Sequence, residues 1–381
     1  LLEDVYTYND FIHDGKSPSL DSKKKVTSNV DKPYMVTEYN GHMFPTKAFD
    51  DEEHRLEHVL RHTRVLNSLY ESEDIVGSFA WCMFDYNTHK EFGSGDRICY
   101  HGVMDMFRNH KLASAPYRAF DEKQNVLEIS SSMDIGEHPG SFRGDIYAFT
   151  NMDSIKAYKN NEFIKEFHRD DSEFKNLSYG PILMDDFIGN QLEKHEGFKA
   201  KKSEEVKKIL GAISKHGLNH LPLGIKLSAA KLFMTKQITF EEGYQLFGKY
   251  IGNWGEKVTT YRFEGIKEGK IVKVVTKEPM KEIKLQVDVD RTILKEESTY
   301  DVASIRILAV DNNENLLNYY QEAVLLEVEG DLQIIGPKII TLKGGMGGTY
   351  VKTTGKAGTG GLIISGEGLK PVKLNFEIIK D

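Results

Sequence analysis

The residues best suited to chemistry lie between positions 35 and 47, where the sequence reads MVTEYNGHMFPTK. The pattern predicts an apolar strand that delivers Glu38 at its carboxyl end, directly before a polar loop that contains Gly41. One predicted strand earlier the chain presents Tyr8, and one strand later it presents Trp81. A carboxylate beside a phenol and an indole suits sugar chemistry. The carboxylate can attack or stabilise an oxocarbenium-like centre, while an aromatic ring packs against the C–H face of a pyranose.

For these side chains to lie close together, the strands that carry them must end at the same edge of a sheet or barrel. Residues 4–8, 33–39 and 75–84 have the composition of short apolar strands, and an amphipathic helix separates the last two. Asp50 or Asp51 can cap that helix, and acidic residues fill its first turn. Strand, helix and strand in this order predict a parallel α/β sheet or barrel, in which catalytic groups lie at the carboxyl ends of the strands. The apolar stripe of the helix consists of Leu56, Val59, Leu60, Thr63, Leu66 and Leu69.

Downstream of about residue 126, short alternating segments separated by turn residues predict strands. Residues 145–150, 155–158 and 162–167 are expected to form one small antiparallel sheet, with a turn at Asn160-Asn161. The last ninety residues, which include another series of alternating segments, predict an all-β sandwich.

Helical patterns interrupt these strands over residues 186–254. Ser203 is predicted to cap one helix, and Gly217 is predicted to end it. Residues 239–242 (TFEE) have the pattern of a capping box that opens a second helix. The predicted strands on both sides of this segment have the same pattern of short alternating residues separated by turns. We therefore expect the segment to be an insertion within one β domain.

Composition excludes several classes of function. The chain has 381 residues, which predicts two to four domains, and its net charge is −8. The excess of Lys and Arg that neutralises nucleic-acid phosphates or binds anionic membranes is missing, and no apolar run is long enough to span a bilayer. Two cysteines, Cys82 and Cys99, suggest reduced buried thiols and a reducing, cytoplasmic location. The glycine-rich residues 344–361 lack the context of a phosphate-binding loop and are interpreted as loop and hairpin glycines.

Residues 1–120 resemble the last three barrel strands of glycoside hydrolase family 2, in particular its β-galactosidase-like branch. The family's nucleophile motif, Glu-Tyr followed shortly by His and Met, matches residues 38–43 (EYNGHM). Its eighth-strand motif, a small residue and Phe-Xaa-Trp, matches residues 78–81 (SFAW). Its Phe-Gly, Asp-Arg, Cys and Gly pattern matches residues 92–102 (FGSGDRICYHG). The downstream region resembles, by weaker patterns, the β domains that follow the barrel in many bacterial members.

The resemblance implies a retaining mechanism and assigns individual residues of this chain a role in it. Glu38 is expected to be the nucleophile and Tyr8 to orient its carboxylate, although Tyr6 lies on the same strand face and stays an alternative. The substrate would contact His42 and Trp81, where the competing interpretations are a structural loop histidine and a core tryptophan. Further candidates for substrate binding are Asp85 and His101.

Two departures from the family pattern matter. The general acid/base of this family is the Glu of an Asn-Glu pair on the fourth barrel strand, and no such pair precedes Glu38. Only Asn161-Glu162 and Asn313-Glu314 occur, both in predicted turns downstream. In addition, His101 stands where the branch often has an Asn associated with sodium, so we assign no metal and expect no cofactor on this chain. A sodium or divalent ion in the complete enzyme has no support in this sequence.

We therefore expect a multidomain chain: the C-terminal portion of a (β/α)8 TIM barrel followed by β-sandwich (Ig-like) domains, one of them with a helical insertion. The boundaries are 1–122 for the last barrel strands, 123–290 for the sandwich with its insertion at 186–254, and 291–381 for an Ig-like sandwich. The resemblance implies that the chain is part of a retaining exo-acting β-galactosidase that acts on terminal β-linked sugars. Its expected partner is carbohydrate, and neither nucleic acid nor a membrane is expected; a homo-oligomer is an open option.

Two alternatives stay open. The first is a β-glucuronidase or another family 2 glycosidase, although the Asn-Xaa-Lys pair that glucuronidases carry is missing from residues 93–103. The second is a non-catalytic fragment whose β domains have structural or carbohydrate-contacting roles.

The sequence begins Leu-Leu-Glu-Asp without methionine, and we expect residues 1–381 by themselves to be an incomplete, inactive fragment. About five barrel strands and the general acid would be missing, and acid–base assistance alone contributes about 10²–10⁴-fold to the rate. The prediction is no appreciable hydrolysis of an aryl β-galactoside by this polypeptide. Turnover comparable with that of the full-length protein would contradict it.

Overall fold

A computed structural model describes most of the chain and divides it into two compact units. The first unit is formed by Leu1–Asp50, Ser72–Ser114 and Met280–Asp381, and the second by Asp51–Glu71 and Ala115–Pro279. Within the described part of the chain, none of the helices is long and apolar enough to cross a bilayer. The described residues are 3–11, 20–41, 44–93, 95–169, 172–253 and 258–380.

Strands dominate both units. The helices are α1 (Lys23–Val26), α2 (Glu52–Glu71), α3 (Ala115–Arg118), α4 (Gln191–Glu196), α5 (Ala200–His216), α6 (Leu223–Met234) and α7 (Phe240–Phe247), with 3₁₀ turns at Leu112–Ser114, Ile135–Glu137 and Pro139–Ser141 and a π turn at Gly248–Gly252. The strands are β1 (Tyr6–Asn9), β2 (Tyr34–Tyr39), β3 (Ile75–Ala80), β4 (Tyr86–Asn87), β5 (Ile98–Cys99), β6 (Leu127–Ile129), β7 (Ile146–Thr150), β8 (Ser154–Lys159), β9 (Glu162–His168), β10 (Ile182–Met184), β11 (Tyr261–Lys267), β12 (Lys270–Lys277), β13 (Lys284–Val289), β14 (Ile293–Glu296), β15 (Val302–Val310), β16 (Ala323–Gly330), β17 (Leu332–Ile335), β18 (Ile339–Thr341), β19 (Met346–Thr353), β20 (Gly358–Gly366) and β21 (Val372–Lys380).

The first unit contains the parallel sheet predicted from the sequence, in the order β1-β2-β3. Its central strand β2 buries Tyr34, Val36 and Tyr39, whereas Met35, Thr37 and Glu38 are partly exposed. The ladder shifts register after Tyr8 in β1 and between Val36 and Tyr39 in β2. These irregularities lie where the strands end, so they change the direction of the side chains at the carboxyl edge of the sheet.

Two further sheets of the first unit enclose one apolar core. Their strand orders are β13-β15-β19-β17 and β14-β21-β20-β16-β18. Along β15 every second residue from Ala303 to Ala309 is fully buried, which is the alternation of a strand with one face on a core. Leu326 of β16 and Ile364 of β20 reach the same core from the opposite sheet. The arrangement is that of a sandwich.

The glycine-rich stretch lies mainly within strands and not in loops, which corrects part of the prediction. Gly347 and Gly348 belong to β19, where the segment around Phe107 approaches the backbone closely. A Cβ on Gly348 would lie 2.5 Å from Cγ of Phe107. The Asn109 amide also donates a hydrogen bond to the carbonyl of Gly347, at 2.9 Å. Close backbone approach explains the glycines here.

The second unit has two sheets, β12-β11-β8-β9 and β10-β7-β6, around one core. The prediction that residues 145–150, 155–158 and 162–167 form one sheet is therefore wrong for the first segment, because β7 pairs with β6 and β10 whereas β8 pairs with β9 and β11. The reason is Asn151, which is buried between the two strands and is not part of a hairpin turn. Its side chain accepts from the Val126 N–H and donates to the Gln124 carbonyl, so the chain crosses to the other sheet.

The turn between β8 and β9 forms as predicted. Asn160 and Asn161 both have positive φ, at 51° and 67°, which is the backbone of a tight hairpin turn that asparagine tolerates. The two strands pair in antiparallel register on either side of it.

The helical segment lies between β10 and β11, and β11 pairs with β8, so the sheet continues across the interruption. Helix α5 begins at Ala200, which makes the prediction of Ser203 as its cap wrong: the Ser203 N–H already donates to the carbonyl of Lys199. Residues 200–202 (AKK) are good helix formers and extend the helix toward its N-terminus. The end at Gly217 and the capping box of Thr239 at the start of α7 are confirmed.

Helix α2 begins as predicted, because the Asp51 carboxylate accepts from the N–H of His54. The next residue, Glu52, is buried, and its carboxylate accepts from the N–H of Ser132 at 2.6 Å and lies 3.0 Å from Nε2 of His138. Burial alone would raise the pKa of Glu52, but His138 and Ser132 together lower it from 4.5 to about 2.

We predict that Glu52 makes the second unit sensitive to acid. A carboxylate with a lowered folded-state pKa stabilises the fold above its unfolded value, here about 4.5, and loses that contribution as the pH falls toward 2. The contribution corresponds to about 3 kcal/mol at neutral pH. Thermal unfolding from pH 7 to pH 3 should show a smaller loss of Tm for Glu52→Gln than for the wild type. The exposed neighbour provides the control, and a Glu53→Gln variant that flattened the profile equally would contradict the prediction.

Candidate active site

Glu38 lies at the carboxyl end of the central parallel strand β2, and Asn9 of β1 lies opposite it in register. The Asn9 amide donates a hydrogen bond to Oε2 of Glu38 at 3.0 Å. The Thr37 hydroxyl donates to Oδ1 of the same amide at 2.9 Å, which turns the NH₂ group of Asn9 toward the carboxylate. The Asp10 N–H donates to the Glu38 carbonyl at 2.8 Å, so backbone and side-chain bonds both fix the end of this strand.

Tyr8 lies in the ladder opposite Val36 and is 38% exposed. Among the described residues, the hydrogen bond to the Glu38 carboxylate comes from Asn9 and not from Tyr8 or Tyr6. The role of Tyr8 in orienting the nucleophile stays a prediction. Sequence analysis missed Asn9, although its position beside Tyr8 at the strand end was a usable signal. His42, the expected substrate ligand, lies outside the described residues.

Trp81 follows β3 directly and remains attached to the central strand. Its backbone N–H donates to the backbone carbonyl of Tyr39 at 2.8 Å, so the residue is held one strand away from Glu38. The ring packs edge-on against Tyr86, with centroids 6.0 Å apart, and is still 39% exposed. A tryptophan with a purely structural role in the core would be buried on all sides. Trp81 instead keeps an exposed surface against which a sugar ring could pack. The peptide bond between Trp81 and Cys82 is cis.

Asp85 is buried inside the loop that follows Trp81, and its described contacts are internal. Its Oδ1 lies 2.6 Å from Nζ of Lys111 and accepts from the N–H of Gly102 at 2.9 Å. Burial raises the pKa of Asp85 to about 6, and the charge of Lys111 offsets this only in part. Burial likewise lowers the pKa of Lys111. The substrate contact expected of Asp85 stays a prediction, but the geometry makes it an internal ion-pair partner.

Lys111 connects this loop to the nucleophile segment, and sequence reasoning did not assign it this role. Besides Asp85, its ammonium donates to the carbonyl of Thr46 at 2.7 Å, a few residues after Glu38. Gly102 is required by the same packing, because a Cβ there would lie 2.2 Å from the backbone N of Asp85. These residues fix the loops behind the site.

His101 is buried beside the Cys99 thiol. Its Nδ1 lies 2.6 Å from Sγ of Cys99, which is also buried, and both cysteines are free, as predicted. Cys82 is only partly buried, and burial raises the pKa of its thiol to about 12, so it is a poor nucleophile. The substrate contact of His101 stays a prediction. Within the described residues, no cluster of three metal-binding side chains occurs.

The Asp-Arg motif has a structural role in the first unit. Asp96 accepts from the Tyr100 hydroxyl and lies 3.1 Å from Nζ of Lys343, which precedes β19. Burial would raise the pKa of Asp96, but these two donors hold it below its ordinary value. The motif thus joins the segment after Trp81 to the sandwich.

Sequence comparison finds relatives along nearly the whole chain. A β-galactosidase of Thermoanaerobacterium thermosulfurigenes is 35% identical over 354 residues, which cover 91% of this chain and 41% of that protein. A β-galactosidase of Thermoanaerobacter pseudethanolicus is 28% identical over 360 residues, covering 94% of this chain and 40% of the relative. The chain therefore spans about two fifths of the length of these curated relatives. No protein-family model matches it.

Solved structures show the same fold at low sequence identity. A β-glucuronidase of glycoside hydrolase family 2 has a TM-score of 0.57 at 13% identity, covering 99% of this chain and 33% of that one. A family 2 member from Bacteroides cellulosilyticus has a TM-score of 0.56 at 12% identity, covering 99% and 42%. Together with the shared motifs and the close sequence relatives, this fold identifies the chain as a relative of the β-galactosidases of glycoside hydrolase family 2.

Proposed function

We propose that the protein carrying this chain is a retaining exo-acting β-galactosidase and that Glu38 is its nucleophile. The observation that carries the proposal is the position of Glu38 at the carboxyl end of the central parallel strand, oriented by the Asn9 amide and one strand from the half-exposed indole of Trp81. A carboxylate that accepts one hydrogen bond keeps its other oxygen available for attack. The names of the sequence relatives support the galactoside as substrate.

The geometry fits the first half of a double displacement. An oxygen of Glu38 attacks the anomeric carbon while the bond to the leaving-group oxygen breaks, and a general acid donates a proton to that oxygen. The product is a covalent glycosyl ester of Glu38. In the second half the former acid, now a base, takes a proton from water, which attacks the anomeric carbon and releases Glu38 with retained configuration.

The acid/base carboxylate must lie about 5 to 5.5 Å from Glu38 in such an enzyme. Neither Asn-Glu pair of this chain occupies the end of a parallel strand. Asn161 lies in the β8–β9 turn and Glu162 lies 3.0 Å from His195, while Glu314 is a turn residue with positive φ. We therefore assign the acid/base to a part of the protein outside residues 1–381.

The parallel strands β1 to β3 are proposed as the last strands of a TIM barrel over residues 1–122. Residues 123–290 and 291–381 are proposed to follow as β-sandwich domains, the first with the insertion at 186–254 and the second Ig-like. Strand β13 (Lys284–Val289) pairs with β15, however, and so belongs to the second sandwich. The bonds from Asn109 to Gly347 and from Lys343 to Asp96 explain why the last domain and the barrel strands form one compact unit.

Substitutions in the full-length protein test these assignments. Glu38→Gln keeps the side-chain volume but removes the nucleophile and its counter-charge, so kcat should fall by several orders of magnitude. Tyr8→Phe should reduce kcat less, because the nucleophile remains. Trp81→Ala should raise KM as well as lower kcat, because the sugar loses binding surface. Steady-state kinetics on aryl β-galactosides and aryl β-glucuronides measure all three and distinguish the two substrate classes.

The exposed Glu73 supplies a matched control, since Glu73→Gln removes the same charge just before β3 and should leave both constants unchanged. Near-normal turnover by Glu38→Gln would overturn the assignment of the nucleophile. Faster hydrolysis of glucuronides than of galactosides by the wild type would overturn the proposed substrate and leave the nucleophile in place.

A further inference from the structure

Strand β2 carries one extra residue at the carboxyl edge of the parallel sheet. In β1, Tyr8 pairs with Val36. The next residue, Asn9, pairs with Glu38, so Thr37 has no counterpart in β1, and the ladder toward β3 is irregular over the same positions. Such a β-bulge changes the direction of the side chains around it. In a regular strand Thr37 and Glu38 would point to opposite faces, whereas here the side chains of both reach Asn9.

The hydrogen bonds around Asn9 allow only one orientation of its amide. A carboxylate accepts hydrogen bonds only, so the group that faces Glu38 is the NH₂ of Asn9, which donates to Oε2 at 3.0 Å. The Oδ1 atom of Asn9 then faces the Thr37 hydroxyl, which donates to it at 2.9 Å. A directed chain of donors therefore runs from Thr37 through Asn9 to the carboxylate.

The backbone at this edge is fixed without the two side-chain hydrogen bonds. The Asp10 N–H donates to the Glu38 carbonyl at 2.8 Å, and the buried Asp10 carboxylate accepts from the N–H of Asp21 at 2.7 Å. The side chain of Asn9 is exposed and that of Thr37 is partly exposed. Substitutions at exposed positions usually change the free energy of unfolding little. Variants of Asn9 and Thr37 should therefore keep the sheet intact.

We propose that Asn9, oriented by Thr37, is a positioning residue that assists the second displacement, an inference that rests on the proposed role of Glu38 as the nucleophile. In that step the general-base carboxylate takes a proton from water, and the water oxygen bonds to the anomeric carbon. The bond from that carbon to Glu38 breaks, and its electron pair returns to the carboxylate. The hydrogen bond from Asn9 to Oε2 thereby changes from a neutral one to a charge-assisted one, which is stronger.

A role in orientation alone would have a different kinetic result. If Asn9 only held Glu38 at the correct angle, its loss would slow both displacements alike. A donor to Oε2 instead weakens in the first displacement, where the charge of Glu38 is consumed, and strengthens in the second, where that charge returns. Only interactions that strengthen toward the transition state accelerate a step. Loss of Asn9 should therefore slow the second displacement selectively.

Pre-steady-state kinetics of the full-length protein on a dinitrophenyl β-galactoside separate the two steps, because the good leaving group makes the first displacement fast. Asn9→Ala should slow the second displacement about tenfold and enlarge the burst of released dinitrophenolate, while the first displacement changes much less. Thr37→Val has nearly the same shape without the donor and should show the same selectivity with a smaller effect. Thr37→Ser keeps the hydroxyl and should retain the wild-type rates.

The combined variant tests whether Thr37 acts through Asn9. In the Asn9→Ala background, Thr37→Val should have no further effect, since the amide that it orients is gone. The matched controls are Asn375→Ala in β21 and Thr299→Val in the loop before β15, which make the same changes at exposed positions of the sandwich. Both controls should leave the rates of the two displacements at the wild-type values.

Three results would overturn the proposal. The first is unchanged rates, or equal slowing of both displacements, in Asn9→Ala. The second is a full effect of Thr37→Val in the Asn9→Ala background. The third is selective slowing of the second displacement in Tyr8→Phe and not in Asn9→Ala, which would assign the role to Tyr8. All three leave Glu38 as the residue that a fluoro-galactoside labels, whereas a label on another carboxylate would overturn the proposed function itself.

Discussion

The parallel pairing of β1, β2 and β3 is the constraint on which the candidate site depends. Parallel strands end at the same edge of a sheet, so residues that are far apart in sequence present their side chains together. The Asn9 amide thereby reaches the carboxylate of Glu38, and the backbone N–H of Trp81 reaches the backbone carbonyl of Tyr39. Without this register the chain would have a glutamate, an amide and an indole with no common chemistry.

The loops behind that edge are fixed by a buried ion pair. Lys111 contacts both the Asp85 carboxylate and the carbonyl of Thr46, so the segment after Trp81 and the segment after Glu38 share one cation. Burial costs free energy for both charges, and loss of either partner would leave the other without compensation. We interpret this pair as the support that lets the site residues face outward while their loops stay ordered.

Local patterns allowed part of the structure to be predicted. The strand that carries Glu38, the cap at Asp51 and the capping box at Thr239 depend on residues within a few positions of each other. The contacts that escaped prediction join distant positions: the Asn9 amide to Glu38, and Asn151 to residues 124–126, which sends β7 into a different sheet from β8. Spacing along one sequence carries no information on which strand lies beside which.

The proposed function depends on a covalent bond between Glu38 and the sugar. A mechanism-based 2-fluoro-galactoside, reacted with the full-length protein and followed by peptide mapping with mass spectrometry, measures this directly, because the fluorine slows the second displacement and traps the ester. We expect one label per chain on the peptide that contains Glu38, and no label in Glu38→Gln. A label on any other carboxylate, or inactivation without a covalent adduct, would contradict it.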